Sequence, residues 1–381
     1  MPTAPAPAVS VLMPVYNGGR FLAAAVDSVL RQTMRDIELI AIDDGSQDSS
    51  AAVLAEFAAR DDRVRVFTQE NQGIVAALNR ALALARAPLV ARMDADDIAR
   101  PDRLDRQCTF LREHPDILAV SGGMDVIGED GVYIETILFP TLPETIAGEL
   151  PHRSVVAHPA VMMRAGSVRD VGGYRQVARY AEDYDLWLRL NEAGPIANLA
   201  DVVLSYRRHG SSTSSVRLIE QQLAAVAVRA AARQRRMGRP DPLAAAERAT
   251  RVAPLTYAGL RSLLQVERIP KDLAFAFFRE TLSRAGQMNA IGPWLRLYAR
   301  HGLWEIDRKG SRVIMLVGAR LLLRQYRKGA GAFGLLPYAC LLAMAACRHP
   351  ITALRDLRQL KQWRLLAQHG LLHPTTDIDS D

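Results

Sequence analysis

From residue 9 to residue 93 the chain alternates between short apolar runs and stretches whose apolar positions recur every three or four residues. Residues 9–13, 37–42, 64–67 and 89–93 are runs of strand length, the first stopped by Pro14. Between them, residues 21–32, 49–59 and 74–85 carry helical spacing, with Asp48 placed to cap the second of these helices. Tyr16-Asn17-Gly18-Gly19 is a turn. Strand and helix in this alternation predict a parallel sheet with right-handed crossovers. Polar residues gather just after the strands, where open α/β sheets bind ligands.

The pattern then loosens. Residues 101–113 predict a helix, 117–121 a strand, and 124–140 an antiparallel ribbon around Gly128-Glu129-Asp130-Gly131. Residues 158–163 predict a strand, Gly172-Gly173-Tyr174 a turn, and 181–190 a helix with acids in its first turn. A last strand at 202–209 runs into the serine-rich loop 211–215. Beyond it the texture changes to alanine- and arginine-rich helix from 216 to 236, a break at 238–242, and further helical segments to 305. The organisation this predicts is a loose tail over 1–8, an α/β domain over 9–215, an α-helical region over 216–305, and a basic, apolar tail over 306–381.

Charge divides the chain the same way. Residues 1–200 hold 19 Lys/Arg against 28 Asp/Glu, and residues 201–381 hold 29 against 13. The front half suits a metal and its substrate, and the back half an anionic surface. Residues 332–347 lack charge but are too few to span a bilayer and contain Pro337, so a helix lying in the membrane interface is expected, with Arg320, Arg324, Arg327, Lys328, Arg348, Arg355 and Arg358 nearby. A buried helix pair is the alternative. Nucleic acid is disfavoured because the basic stretches are mixed with apolar runs rather than with aromatics for stacking. Cys108, Cys340 and Cys347 form no CxxC pair, which argues against a zinc site or disulfide framework and for a reducing cytosol. Residues 1–8 do not read as a secretion signal. The high Arg and Ala content suggests a bacterial source.

The strand at 89–93 ends in Asp94-Ala95-Asp96-Asp97. Carboxylates this close repel unless a cation lies among them, and oxygen ligands suit Mg²⁺ or Mn²⁺. An acidic turn is the plainer alternative, with Asp97 capping the helix near Pro101. Asp43-Asp44 follow the second strand, Glu182-Asp183 open a helix, and Arg207-Arg208-His209 end the last strand.

Taken together and in order, Pro14-Val15-Tyr16-Asn17, Asp43-Asp44-Gly45-Ser46-Gln47-Asp48, Asn71-Gln72-Gly73 with Asn79, Asp94-Ala95-Asp96-Asp97 with Pro101-Asp102-Arg103-Leu104, Glu182-Asp183-Tyr184-Asp185-Leu186-Trp187, and Tyr206-Arg207-x-His209 resemble the family 2 glycosyltransferases. The likeness runs over 9–213. It implies a GT-A type, Rossmann-like nucleotide-sugar-binding domain with a mixed central sheet. It also implies inverting transfer of a sugar from a nucleotide donor to an acceptor hydroxyl, with a divalent cation. Carried over, Tyr16 and the backbone around Pro14 and Val15 would line the base pocket, Asp44 would bind the base, Asp94 would hold the ribose or sugar, and Asn17, Gly73, Asn79 and Ala95 would meet the nucleotide sugar. Asp96 and His209 would hold the metal, and Asp183 would be the general base. Glu182, Asp43, His158 and Arg207 are weaker candidates.

Crowding by Glu182 and Asp185 would raise the pKa of Asp183 toward the range useful for a base. No second carboxylate offers itself as a nucleophile for a retaining route. The Gln-x-x-Arg-Trp segment of processive synthases is absent, so one sugar per encounter is expected. The expected acceptor is a lipid-linked or surface polysaccharide precursor at the cytoplasmic face of the membrane, and UDP is the favoured donor nucleotide. A nucleotide-sugar pyrophosphorylase is the competing enzyme, although Gly18-Gly19-Arg20 substitutes poorly for its phosphate loop. A dinucleotide oxidoreductase lacks its Gly-x-Gly-x-x-Gly. A non-catalytic membrane scaffold retaining the fold is the other alternative.

Overall fold

The computed structural model describes residues 6–209 and 218–247, all within the unit that spans residues 1–266. Its first half is the predicted alternation: β1 (Val9–Val15), α1 (Leu22–Leu30), β2 (Ile37–Asp43), α2 (Ser50–Arg60), β3 (Val64–Thr68), α3 (Ile74–Leu84) and β4 (Leu89–Arg92). A short 3-10 turn, Gly19–Phe21, leads into α1. These strands stand in the order β3-β2-β1-β4, every neighbour parallel. Every residue of β2 is buried, as expected of a central strand covered on both faces. α3 packs on β1 and β2, and α2 on β3.

After β4 the sheet becomes mixed. The later elements are β5 (Ile98–Ala99), α4 (Arg103–Glu113), β6 (Ala119–Ile127), β7 (Tyr133–Ile137), α5 (Pro143–Glu149), β8 (Met162–Arg164), α6 (Ala165–Asp170), α7 (Glu182–Ala193) and β9 (Ile196–Arg207). The order continues β4-β8-β6-β9-β5, with β8 antiparallel to β4 and β6, β9 parallel to β6, and β7 hanging on β6 as the expected ribbon. Because β5 leaves the acidic loop directly and pairs antiparallel with β9, the far end of the sheet returns to the loop after β4.

Several elements differ from expectation. Residues 158–160 form a 3-10 turn and only 162–164 a strand, since Pro159 cannot donate to a ladder. β9 begins six residues before the expected 202, at Ile196. Asn198 hid that start: it looks like a loop residue, but it is buried with its amide donating to Pro140 O at 2.7 Å and Val155 O at 3.0 Å. β5, α5 and α6 were not expected from their short, weakly periodic sequences.

The helix Leu218–Arg236 falls on the expected one, packs on α7, and is followed by the short helix Pro242–Glu247. Among the described residues no helix is long and apolar enough to cross a membrane. The loop 211–215, the helical segments expected beyond 247 and the tail 306–381 lie outside the described residues.

Candidate functional site

β1, β2 and β4 are parallel, so the segments that follow them emerge at one edge of the sheet. After β1, Tyr16 is exposed (53%) and Asn17 takes φ +52°, its Oδ1 accepting from Gln47 N at 2.8 Å and its own N donating to Ser46 Oγ at 2.9 Å. The loops after β1 and β2 are thereby one unit. Asp43 is buried and accepts from Ser46 N at 3.0 Å. Asp44 is more fully engaged: Oδ1 accepts from Gln69 Nε2 and Gln72 N, and Oδ2 from Gly73 N, at 2.7–2.9 Å. It ties the loop before α3 to the end of β2. Gly45 permits this closeness, with φ +75° and an added Cβ only 3.0 Å from Asn71 N.

After β4 the acids are left open. Asp94, Asp96 and Asp97 each offer a ligand atom, all within 4.8 Å of one another. Asp94 is ion-paired with Arg92, while Asp96 Oδ2 lies 2.8 Å from His209 Nε2. Asp97 does not cap α4. It is fully buried, Oδ1 accepts from Arg207 N at 2.8 Å, and Oδ2 has no partner. Burial, then Asp94 and Asp96, hold its pKa well above the carboxylate range. Burial also raises Asp94; Arg92 opposes this, and Asp96 and Asp183 add to it. Three crowded oxygen donors, one of them an orphaned buried oxygen, and an imidazole fit a hard divalent cation.

Glu182 and Asp183 open α7. Glu182 is pushed up to about 7 by burial and then by Asp183, and its Oε2 has no partner. Burial raises Asp183 too, opposed by the Tyr184 N–H, which it accepts at 2.7 Å, and by Arg92. Arg92 is the hub. Buried on β4, it acts electrostatically on Asp94, Asp97, Glu182, Asp183, His158 and Tyr174. Arg103, fully buried and pushed down to about 9 by burial and by Arg92, donates to Arg92 O at 2.7 Å and so fixes the end of β4.

The structure gathers most of the expected residues. Phe21 joins the β1 loop to the acidic cluster, its ring 5.3 Å from that of His209 with the Arg207 guanidinium over it at 4.7 Å. A Cβ on Gly73 would lie 3.7 Å from the Arg179 guanidinium carbon, just ahead of Glu182. Pro14 and Val15 end β1, and Ala95 is half-buried between the acids. Others are engaged in holding backbone. Arg207 binds Asp96 O at 3.0 Å and also reaches Gly128 O and Glu129 O. The Asn79 amide exchanges two hydrogen bonds with the Tyr174 backbone at 2.8 and 2.9 Å. His158 is buried, hydrogen-bonded to Tyr174 OH at 2.9 Å, packed edge-on to Trp187, and kept neutral by burial and by Arg92. Arg92 was missed from the sequence, although an arginine within an otherwise apolar strand two residues before Asp94 was the available signal. Asp97, expected either within the acidic cluster or as a helix cap, stands in the cluster.

Residues 10–172 match the family described as Glycosyl transferase family 2. The O-antigen biosynthesis glycosyltransferase WbnJ of Escherichia coli is 34% identical over 225 residues, 58% of this chain and 87% of that protein. EpsE of Bacillus subtilis, named as a glycosyltransferase, is 39% identical over 192 residues, 49% of this chain and 68% of that protein. Among solved structures, residues 1–349 of S. aureus TarS in complex with UDP-GlcNAc share the fold, with TM-score 0.52, 17% identity, and coverage of 90% of this chain and 92% of that one.

Proposed function

This chain belongs to glycosyl transferase family 2 and is a glycosyltransferase with a GT-A type fold, and from that premise we propose that it transfers a sugar from a nucleotide diphosphate donor, UDP by preference, to an acceptor hydroxyl with inversion. The observation that carries the reading is that two acidic groups share the field of Arg92: the cluster Asp94, Asp96 and Asp97 beside His209, and the pair Glu182 and Asp183. The first group would hold a divalent cation. When bound, such a cation stabilises the charge that develops on the leaving diphosphate.

The chain's own residues do the rest. Tyr16 and the loops joined by Asn17 and Asp44 would bind the nucleotide. Asp183, raised by burial, would take the acceptor's proton as the acceptor oxygen bonds to the anomeric carbon and the bond from that carbon to the diphosphate breaks. Arg92 holds Asp94 by an ion pair and acts on Glu182 and Asp183 through its charge. One base and one leaving-group site suffice for a single displacement.

For the acceptor, a lipid-linked or surface polysaccharide precursor is supported by WbnJ's name and by the basic excess of residues 201–381. That excess also supports attachment to the anionic cytoplasmic face of the membrane. Co-sedimentation with anionic vesicles tests it: the full chain should bind, and a chain ending at residue 310 should not.

The function is tested by calorimetric binding of UDP, dTDP and GDP with and without Mn²⁺. One nucleotide should bind in a metal-dependent way, and Asp96→Ala should abolish that binding. Asp183→Asn should keep binding and lose transfer by about 10³-fold. No binding to any nucleotide would favour a non-catalytic scaffold, and near-normal turnover in Asp183→Asn would remove the base assignment.

A further inference from the structure

The segment that leads to Glu182 and Asp183 is held by residues that follow it by more than fifty positions. Residues 175–181 contain the 3-10 turn Gln176–Ala178 and then Tyr180, whose φ of +75° is strained for a bulky side chain. Such a conformation persists only where its surroundings fix both ends. The far end is α7. At the near end, Glu247 accepts from both leading N–H groups of the turn, Oε1 from Gln176 N at 2.8 Å and Oε2 from Val177 N at 2.7 Å. Asp241 Oδ2 accepts from Arg175 Nη1 at 2.7 Å and from Arg235 Nη1 at 2.9 Å, while its Oδ1 accepts from Leu243 N at 2.9 Å.

These contacts belong to a buried network. Arg175 also grips the fully buried Asp185 through two nitrogens, and Arg189 reaches the same carboxylate at 2.9 Å. Arg189 continues to Val171 O and Gly173 O, the turn that Asn79 also holds through Tyr174. At its exposed edge the network ends on the pair of Arg235 with Glu192, near the end of α7. Burial would raise Asp241, but Arg175 and Arg235 overcome it and keep the group ionised. The network links α7, the segment before it, and the two helices beyond residue 218.

We propose that Asp241 and Glu247 are positioning residues for the acceptor-side acids: the short helix Pro242–Glu247 fixes residues 175–181 and thereby sets where Glu182 and Asp183 stand. This rests on Asp183 as the base. Neither acid touches the nucleotide side, which is built from the loops after β1, β2 and β4. Residues 175–181 approach that side at Arg179, beside Gly73, so losing the clamp costs turnover more than donor binding.

The test uses the full chain with Glu247→Ala, Glu247→Gln and Asp241→Asn, read by hydrogen exchange, by Mn²⁺-dependent UDP calorimetry, and by nucleotide release from the UDP-hexose that the wild type turns over. In Glu247→Ala, exchange across 175–185 should accelerate at least about ten-fold with β2 unchanged, UDP affinity should stay within about two-fold, and kcat should fall about ten-fold at constant donor KM. Glu247→Gln, which keeps one acceptor, should recover part of both losses. Should Glu247→Ala fail to fold, Asp241→Asn gives the same readouts. Unchanged exchange across 175–185, or UDP affinity falling as far as kcat, overturns the proposal. Because exchange does not pass through Asp183, wild-type turnover in Asp183→Asn would remove the base and leave the clamp itself measurable.

Discussion

The segments after β2 and β4 leave the same sheet edge and both carry buried acids, yet one is closed and the other open. Asp44 spends its carboxylate on Gln69, Gln72 and Gly73, and Asp43 turns back on Ser46. The Asp44 bonds join one loop to another, and the Asp43 bond closes the turn after β2. After β4, Asp97 Oδ2 has no partner, and Asp94 and Asp96 are half-exposed beside it. A carboxylate whose oxygens are spoken for shapes a site, whereas one kept buried and short of donors awaits a positive charge.

The largest effect that would break this contrast comes from paired substitutions. Asp44→Ala strands two backbone N–H groups and should lower stability by about 3 kcal/mol in chemical denaturation. Asp97→Asn keeps an oxygen for Arg207 N and removes a crowded charge. It should leave stability unchanged or raise it by about 1 kcal/mol, while weakening Mn²⁺-dependent nucleotide binding at least about ten-fold. Equal destabilisation by the two would show that Asp97 is as structural as Asp44.

That contrast marks where the sequence was legible. The four parallel strands and their helices follow from local period, and the acids at strand ends follow from the topology those strands impose. Which acids stay open was hidden, because Asp44 is satisfied by residues 69–73, whereas Asp97 is engaged at one oxygen only, by Arg207, 110 positions away. His158 illustrates the same limit: beside Pro159 it read equally as a weaker site candidate or a core histidine, and Tyr174 and Trp187 enclose it. Asn79 and Arg207 carry motif positions and use their polar groups on backbone. Asp241 and Glu247 were unreadable in sequence, lying in a short alanine-rich stretch whose partners are an arginine and two N–H groups of a distant turn.

A smaller effect sharpens the comparison at the start of α7, where Glu182 shares the open character of Asp97. Its Oε2 is unpartnered, and its pKa in the folded chain is about 7 against an ordinary 4.5. The folded state therefore binds a proton that the unfolded chain has released. Its contribution to stability is full below the ordinary carboxylate pKa, declines as pH rises above it, and is lost as pH passes through about 7. Glu182→Gln mimics the protonated form at every pH. The variant should gain about 2.5 kcal/mol on the wild type between pH 5 and pH 8, seen as a thermal midpoint that rises by several degrees relative to the wild type. A gap of the same size at both pH values would mean that Glu182 is held by neutral hydrogen bonding, as Asn79 is, and that charge on the acceptor side resides on Asp183 alone.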